Sequence, residues 1–166
     1  ISFTTDGTEK MPYGRLSWSP DSKYAVGYKI DPREHKEVHY VLTSLPNTFR
    51  GALRSRPYAQ PGDEFTSYEM FVFPLESKKP LKVNTEKYDF LGMPYLRWRT
   101  DDSRYFTYEK ADRGHQRFRI IEVDAITGNT RNVLEEKTNT FIFEQRIFTQ
   151  YLPETNEIVW SSEKDG

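Results

Sequence analysis

One stretch of this chain recurs, and the recurrence limits the folds that the chain can adopt. Residues 16–31 read LSWSPDSKYAVGYKID, residues 96–112 read LRWRTDDSRYFTYEKAD, and a looser copy, YLPETNEIVWSSEKDG, occupies residues 151–166. Each copy runs from an apolar start through a polar turn into a second apolar or aromatic run. Trp, Tyr, Phe and Val suit a half-buried pleated surface, and Pro, Asp, Asn and Ser suit tight turns. The repeat predicts a strand–turn–strand unit used three times.

The spacing of the copies indicates a β-propeller. Trp18 and Trp98 are 80 residues apart, and the turns of the second and third copies begin 53 residues apart, at Thr100 and Pro153. Propeller blades span about 40–50 residues, so the second interval is near one blade and the first contains an insertion. We expect an all-β chain with about two antiparallel four-stranded propeller blades plus flanking strands, a fragment of a larger seven- or eight-bladed β-propeller.

The blades have expected boundaries. We place the end of a preceding blade and a connector in residues 1–15, one blade in 16–90, a second blade in 91–137, and the start of a third, truncated blade in 138–166. The first blade contains a long inserted loop, at about 44–67, with three prolines and two glycines; long loops are usually functional. The chain has no initial Met and ends on a turn signal, Lys-Asp-Gly, so we expect a piece of a longer protein.

Alternating apolar residues locate the individual strands. Gly128 lies in a tight turn, where it can adopt a positive φ. The run RFRIIEVD is apolar on both faces, as a strand between stacked blades must be. Residues 139–150 fit either a strand or a short helix. The strands are expected at 16–18, 24–30, 38–43, 68–75, 79–83, 95–98, 105–109, 116–123 and 130–134.

Composition excludes several classes of protein. The net charge of −1 gives no general electrostatic attraction for nucleic acid or an anionic membrane. An aromatic content of 15% argues against disorder. The chain has no cysteine, and therefore no disulfide or thiolate metal site. No run is long enough to cross a bilayer as a helix, and no signal peptide is recognisable.

The histidines do not predict a metal site. His35 and His39 are four residues apart, which is roughly 13 Å along a strand. Zinc requires ligand distances of about 2 Å, so we expect no metal and a solvated hairpin. His115, in the sequence DRGHQ, is expected to be a turn residue.

The long loop is the first candidate interaction site. Arg50, Arg54 and Arg56 crowd it together with Phe49 and Tyr58. Arg and aromatic residues are enriched at protein interfaces, which favours a protruding arm that contacts a partner subunit or another domain. The alternative is a mobile, solvated loop.

A second group of arginines alternates with aromatic and aliphatic residues. RNA-binding proteins stack bases on such aromatics, but no RNA-binding signature is present and the net charge is −1. Alternating core and rim positions of strands explain the same pattern. The group comprises Arg97, Arg99, Arg113, Arg117 and Arg119.

Four segments carry a resemblance to a known family. They are LSWSPDSKYAVGYKID, RPYAQPGDEFTSYEMFVFPL, DRGHQRFRIIEVDAITGNTRNVLEEKTNTFI and YLPETNEIVWSSEKDG. In this order they resemble the propeller domain of the dipeptidyl peptidase IV branch of the prolyl oligopeptidase family. The resemblance implies an exported or periplasmic bacterial parent, in which an α/β-hydrolase domain holds a Ser/Asp/His triad.

The resemblance also implies what this segment does. The chain has no Gly-x-Ser-x-Gly nucleophile elbow, so we expect it to hold no catalytic residue and no cofactor. In the parent, a serine-type exopeptidase of the dipeptidyl aminopeptidase kind, the propeller would gate access and shape the substrate cavity. The alternative is a propeller-type protein-binding module without peptidase activity.

One family feature is missing from this sequence. In the dipeptidyl peptidases, a short insert before the Trp-Ser-Pro strand carries paired glutamates that hold the free amine of the substrate. Here Glu9 is the only acid between Asp6 and Trp18, which makes Glu9 the candidate substrate-binding residue. The only Glu-Glu pair, at residues 135–136, follows a strand of the second blade, and we do not assign it that role.

The family resemblance and the open strand edges predict the partners of this chain. The expected partners are the hydrolase domain of the parent chain and its peptide substrate. Open strand edges invite pairing with other chains, so we also expect association between copies, through those edges or the long loop. Neither nucleic acid nor a membrane span is expected.

Overall fold

In the residues that the structure describes, the regular structure consists of strands and one short 3₁₀ turn. The computed structural model describes residues 3–33, 36–90, 92–162 and 164. The 3₁₀ turn is Glu144–Arg146, within the stretch for which the sequence allowed a strand or a helix. The strands are β1 (Tyr13–Trp18), β2 (Tyr24–Asp31), β3 (Glu37–Leu42), β4 (Ala52–Pro57), β5 (Ser67–Pro74), β6 (Leu81–Lys82), β7 (Leu96–Trp98), β8 (Tyr105–Ala111), β9 (Arg117–Asp124), β10 (Thr130–Lys137), β11 (Thr149–Leu152) and β12 (Glu157–Trp160).

These strands form four antiparallel sheets. Two sheets have four strands each, in the orders β1-β2-β5-β6 and β7-β8-β9-β10. The other two are hairpins, β3-β4 and β11-β12. The all-β prediction is confirmed, and the antiparallel sheets are consistent with partial propeller blades. The exact blade boundaries remain predictions.

The third strand of the first sheet was predicted at the wrong place. The sequence suggested residues 38–43, but β2 pairs with β5 along its whole length, from Tyr24↔Pro74 to Asp31↔Ser67. β5 offers buried residues on both faces, whereas β3 is almost wholly exposed. A strand in the middle of a stacked sheet must be apolar on both sides, and only β5 meets that requirement.

The predicted long loop is also partly regular. Residues 52–57 form β4, which pairs with β3 in full register. We call the β3–β4 hairpin, residues 37–57, the arm. It is inserted in the chain between β2 and β5. Among the described residues, its two strands pair with each other and not with the first four-stranded sheet.

The two four-stranded sheets stack on one another. Val26 and Val72 from the first sheet, and Phe106 and Val123 from the second, are fully buried in one shared core. β9 is buried on both faces, as predicted. Its residue Ile121 joins this core, while its neighbours Phe118 and Ile120 join a second core against β11-β12.

The two tryptophans of the repeat occupy equivalent positions. Trp18 ends β1 and pairs with Ala25 of the next strand, and Trp98 ends β7 and pairs with Phe106 of the next strand. The Trp98 indole Nε1 donates a hydrogen bond to Ser17 Oγ at 3.1 Å, directly linking the two copies. The recurring sequence therefore produces a recurring, stacked structure.

The repeated turns lie together at one end of the sheets, which we call the turn end. The Asp21 amide donates to Ser103 Oγ at 3.1 Å, which joins the first turn to the second. Asn156 Nδ2 donates to Asp101 Oδ2 at 2.7 Å, which joins the third turn to the second. The three copies thus meet in the order in which they occur along the chain.

The opposite end, the arm end, carries the longer connections. The arm follows β2 at this end. Residues 60–66, which follow the arm along the chain, are called the arm base. The β8–β9 turn at 112–116 lies beside it, since Arg113 NH1 donates a hydrogen bond to the Asp63 carbonyl at 3.2 Å. Segment 138–147 also lies at this end, because it follows the last residue of β10. No helix in the described ranges is long and apolar enough to cross a membrane.

Candidate functional site

A cleft of about 650 Å³ opens at the arm end. It lies between the end of β10, segment 138–147 and the residues after β12. Phe141 and Phe143 expose their rings, and the Arg146 guanidinium lies 5.4 Å from the Phe143 ring centroid. Such rings can hold an apolar side chain, and a guanidinium can bind a carbonyl or carboxylate oxygen. The residues that give the cleft its chemistry are Lys137, Thr138, Phe141, Phe143, Arg146 and Ser161.

The wall of the cleft is held by His115. This residue lies in the β8–β9 turn, as predicted, with φ of 56°. Its Nδ1 hydrogen-bonds Glu144 Oε2 at 2.7 Å, and its carbonyl accepts the Ile142 amide at 2.6 Å. Its ring lies 4.7 Å from that of Phe141. These contacts are not predictable from the sequence, because Glu144 is 29 residues from His115 and no motif joins the two.

The arm presents a basic aromatic face. Arg54 and Arg56 are two residues apart on β4 and so project from the same face. The Arg56 guanidinium lies 6.0 Å from the Tyr40 ring centroid and 5.6 Å from that of Tyr58. The structure thus brings three of the four predicted interface residues together. Arg50 is separate, because it lies in the connection between the two strands.

The other face of the arm carries one exposed apolar pair. Val41 and Leu53 are paired across the hairpin and are 58% and 71% exposed. At the connecting turn, Phe49 is fully exposed. An isolated two-stranded hairpin is at best marginally stable in water, so packing against another surface would stabilise the arm.

Glu9 is exposed in the connector before β1. Because β1 begins at the arm end, where Tyr13 pairs with Lys29, Glu9 lies toward that end of the sheet. The same connector is tied down by Asp6, which binds Lys29 Nζ at 2.5 Å and accepts a hydrogen bond from the Tyr13 hydroxyl at 3.2 Å. The hydrogen bond from Lys29 lowers the pKa of Asp6. Among the described residues, no contact brings Glu9 into the cleft.

One residue of the histidine pair lies in the described ranges. His35 lies outside the described residues, and His39 is exposed on β3. In the ranges that the structure describes, no three His, Cys, Asp or Glu side chains are grouped as metal ligands would be.

The alternating arginines bind carboxylates and rings of this chain. Arg99 NH2 lies 2.6 Å from Glu122 Oε2, and Arg119 NH2 lies 3.0 Å from Glu86 Oε2. The hydrogen bonds from Arg119 and Lys110 lower the pKa of Glu86 to about 2. Arginines engaged in this way support the prediction of strand core and rim positions over that of an RNA-binding surface.

Solved structures show where this fold occurs. Porphyromonas gingivalis dipeptidyl peptidase 4 matches with a TM-score of 0.68 at 15% identity, over 100% of this chain and 25% of that chain. A Bacteroides ovatus ATCC 8483 protein described as a candidate dipeptidyl aminopeptidase IV matches with a TM-score of 0.62 at 16% identity, over 90% and 23%. At these identities the likeness concerns the fold alone. This chain spans about a quarter of the length of either structure.

Sequence comparison gives a curated relative and a family. The T-box transcription factor TBX20 of Danio rerio is 23% identical over 164 residues, which are 95% of this chain and 34% of that protein. The family model described as the dipeptidyl peptidase IV (DPP IV) N-terminal region matches residues 13–166. Since that match covers nearly the whole chain, the chain belongs to the dipeptidyl peptidase IV N-terminal region family, the propeller family that its sequence resembles.

Proposed function

We propose that this chain is a non-catalytic propeller segment that gates and shapes the substrate cavity of a dipeptidyl peptidase IV-like serine peptidase. In this proposal the α/β-hydrolase domain of an exported bacterial parent performs the peptide hydrolysis. The observation that carries the proposal is the cleft at the arm end, which is lined by exposed rings and a guanidinium.

The chemistry of the cleft suits a peptide. Phe141 and Phe143 offer aromatic faces on which an apolar side chain packs, and Arg146 offers donors to a peptide oxygen. Lys137 also lines this cleft, and its ammonium is paired with Glu135, which leaves Arg146 as the cation that a peptide oxygen would meet. The propeller then supplies binding contacts, and the bond-breaking groups come from elsewhere.

The test is kinetic and uses the full-length parent. We expect Phe143→Ala and Arg146→Ala each to raise KM for a chromogenic dipeptide substrate about 2- to 10-fold, the range for losing one aromatic or cation contact. The value of kcat should change little, because neither residue touches the reacting bond. Ile126→Ala and Lys23→Ala, at the turn end, are the matched controls. An unchanged KM in both cleft variants would contradict the proposal.

We further propose that Arg50, Arg54, Arg56 and Tyr58 form an interface with the hydrolase domain or with a second copy of the chain. The test is Arg54→Ala/Arg56→Ala in the parent, examined by light scattering and by limited proteolysis. A smaller mass identifies a second copy as the partner. An unchanged mass with faster cleavage of the arm identifies the hydrolase domain. Wild-type behaviour in both assays would exclude the interface.

Glu9 is proposed as the group that binds the free amine of the substrate. Glu9→Ala should then raise KM for a free-amine peptide but not for its N-acetylated form. Glu154→Ala, an exposed acid at the turn end, is the control. Equal KM values for wild type and Glu9→Ala would remove this assignment.

The alternative is a protein-binding module without peptidase activity. A parent gene that encodes Gly-x-Ser-x-Gly with a downstream Asp and His would favour the peptidase. DNA binding, which the name of the T-box relative suggests, has no support from the net charge of −1 or from arginines that pair with carboxylates.

A further inference from the structure

A row of aromatic rings runs from the base of the arm to the cleft. The Phe65 and Phe90 centroids are 6.1 Å apart, and Phe90 lies 5.1 Å from His115. His115 in turn lies 4.7 Å from Phe141, which lies 6.4 Å from Phe143. These separations are typical of interacting rings. We call Phe65, Phe90, His115, Phe141 and Phe143 the aromatic row.

The β8–β9 turn makes a second connection between the same two places. Arg113 reaches the arm base, where its guanidinium lies 4.7 Å from the Phe65 ring centroid and donates to the Asp63 carbonyl. Two residues later, His115 reaches the cleft wall through Glu144. Only Gly114 separates these two residues along the chain.

The turn itself is well restrained. The His115 amide donates to the Asp112 carbonyl at 2.9 Å, and the Asp112 amide donates to the Arg117 carbonyl at the same distance. The Asp112 carboxylate also binds the Arg119 guanidinium, which is almost fully buried. These contacts anchor the turn to β9.

From these contacts we infer that His115 and Phe90 are positioning residues that mechanically couple the arm to the cleft. A partner that holds the arm in place also fixes the cleft wall, and a peptide in the cleft also orders the arm base. The second half of this inference rests on the proposed function, because it requires the cleft to bind a peptide. The first half requires no ligand.

The test is hydrogen–deuterium exchange on the full-length parent. Phe90→Leu keeps an apolar side chain and removes one ring from the middle of the row. We expect amide exchange to rise about 2- to 10-fold both at the arm base, residues 60–66, and in the cleft wall, residues 138–147. His115→Asn should act similarly, since Asn tolerates the left-handed conformation. Phe90→Tyr, which restores a ring, should exchange as the wild type does.

The controls separate coupling from general loosening. Phe148→Leu removes an exposed ring outside the row and should leave both segments unchanged. If Phe90→Leu and His115→Asn each alter only one of the two segments, the coupling is refuted. If both segments respond while Phe143→Ala and Arg146→Ala leave KM unchanged, the coupling stands and the peptide-binding proposal fails.

Discussion

Buried tyrosines illustrate how single residues stabilise this structure. Tyr28 and Tyr88 insert their rings between the stacked sheets, and their hydroxyls donate to the carbonyls of Pro94 and Glu109 at 3.2 and 3.3 Å. Burial raises the pKa of Tyr88 to about 12 and raises the pKa of Tyr28 well above its usual 10, because a phenolate would lose its hydration.

Because of these tyrosines, we expect the stability of the fold to depend on pH in the alkaline range. A raised folded-state pKa gives stability that is complete below pH 10 and declines as pH rises through about 12. We expect the free energy of unfolding, measured in urea, to fall from pH 10 upward and to fall less steeply in Tyr28→Phe. Tyr58→Phe, an exposed control, should keep the wild-type slope. Identical slopes for all three proteins would show that burial does not keep Tyr28 neutral.

Phe106 allows a direct test of the shared core. It is fully buried and its ring lies 4.8 Å from that of Trp98. Phe106→Ala should lower the free energy of unfolding by about 3–5 kcal/mol through lost burial and a cavity. Phe148→Ala, at a position that is 58% exposed, should cost less than about 1 kcal/mol. Similar losses in the two variants would place Phe106 outside a tight core.

Side-chain partners were the least predictable feature at this scale. Arg119 lies on a predicted strand and Arg99 directly follows one, but their partners Glu86 and Glu122 are 33 and 23 residues away. Strand periodicity shows which face a residue occupies and leaves open which strand lies beside it. Identifying the carboxylate partner of each arginine therefore requires the pairing register of the strands.

At the scale of elements, turns and doubly apolar strands were predictable, because their requirements are local. Gly128 has φ of 72°, as its turn predicted, and a Cβ added there would meet the Lys82 carbonyl oxygen at 3.0 Å. The arm was not predictable. Val38, Tyr40 and Leu42 alternate as in a sheet strand, yet β3 pairs only with β4.

Gly128→Ala tests this turn. The substitution combines a left-handed conformation with a backbone contact, so we expect a loss of about 1–3 kcal/mol in the free energy of unfolding. Gly62→Ala is the matched control. Gly62 also has a positive φ, 94°, but a Cβ there would meet nothing within 4 Å, so about 1 kcal/mol is expected. Equal losses of unfolding free energy in the two variants would show that the contact with the Lys82 carbonyl adds nothing to the cost of the substitution.

At the scale of the whole molecule, the repeat and its spacing predicted stacked propeller sheets, and the family resemblance pointed to the same fold. The cleft was not predicted, because it is assembled from the end of β10, segment 138–147 and the residues after β12. Its sequence signals are the Phe-Ile-Phe run at 141–143 and Arg146. Both lie in residues 138–166, for which the sequence predicts the start of a third blade.

The stacking of the repeated units can be measured directly, because the chain contains no cysteine. The Asp21 amide lies 3.1 Å from Ser103 Oγ, which brings the two turns close to the Cα separation of about 4.4–6.8 Å that a disulfide requires. Under mild oxidation, Asp21→Cys/Ser103→Cys should form one internal disulfide and lose both free thiols. The control pair, Asp21→Cys/Phe49→Cys, joins opposite ends and should keep them. If the Asp21/Ser103 pair also keeps both thiols free, the two copies of the repeat are not stacked in register.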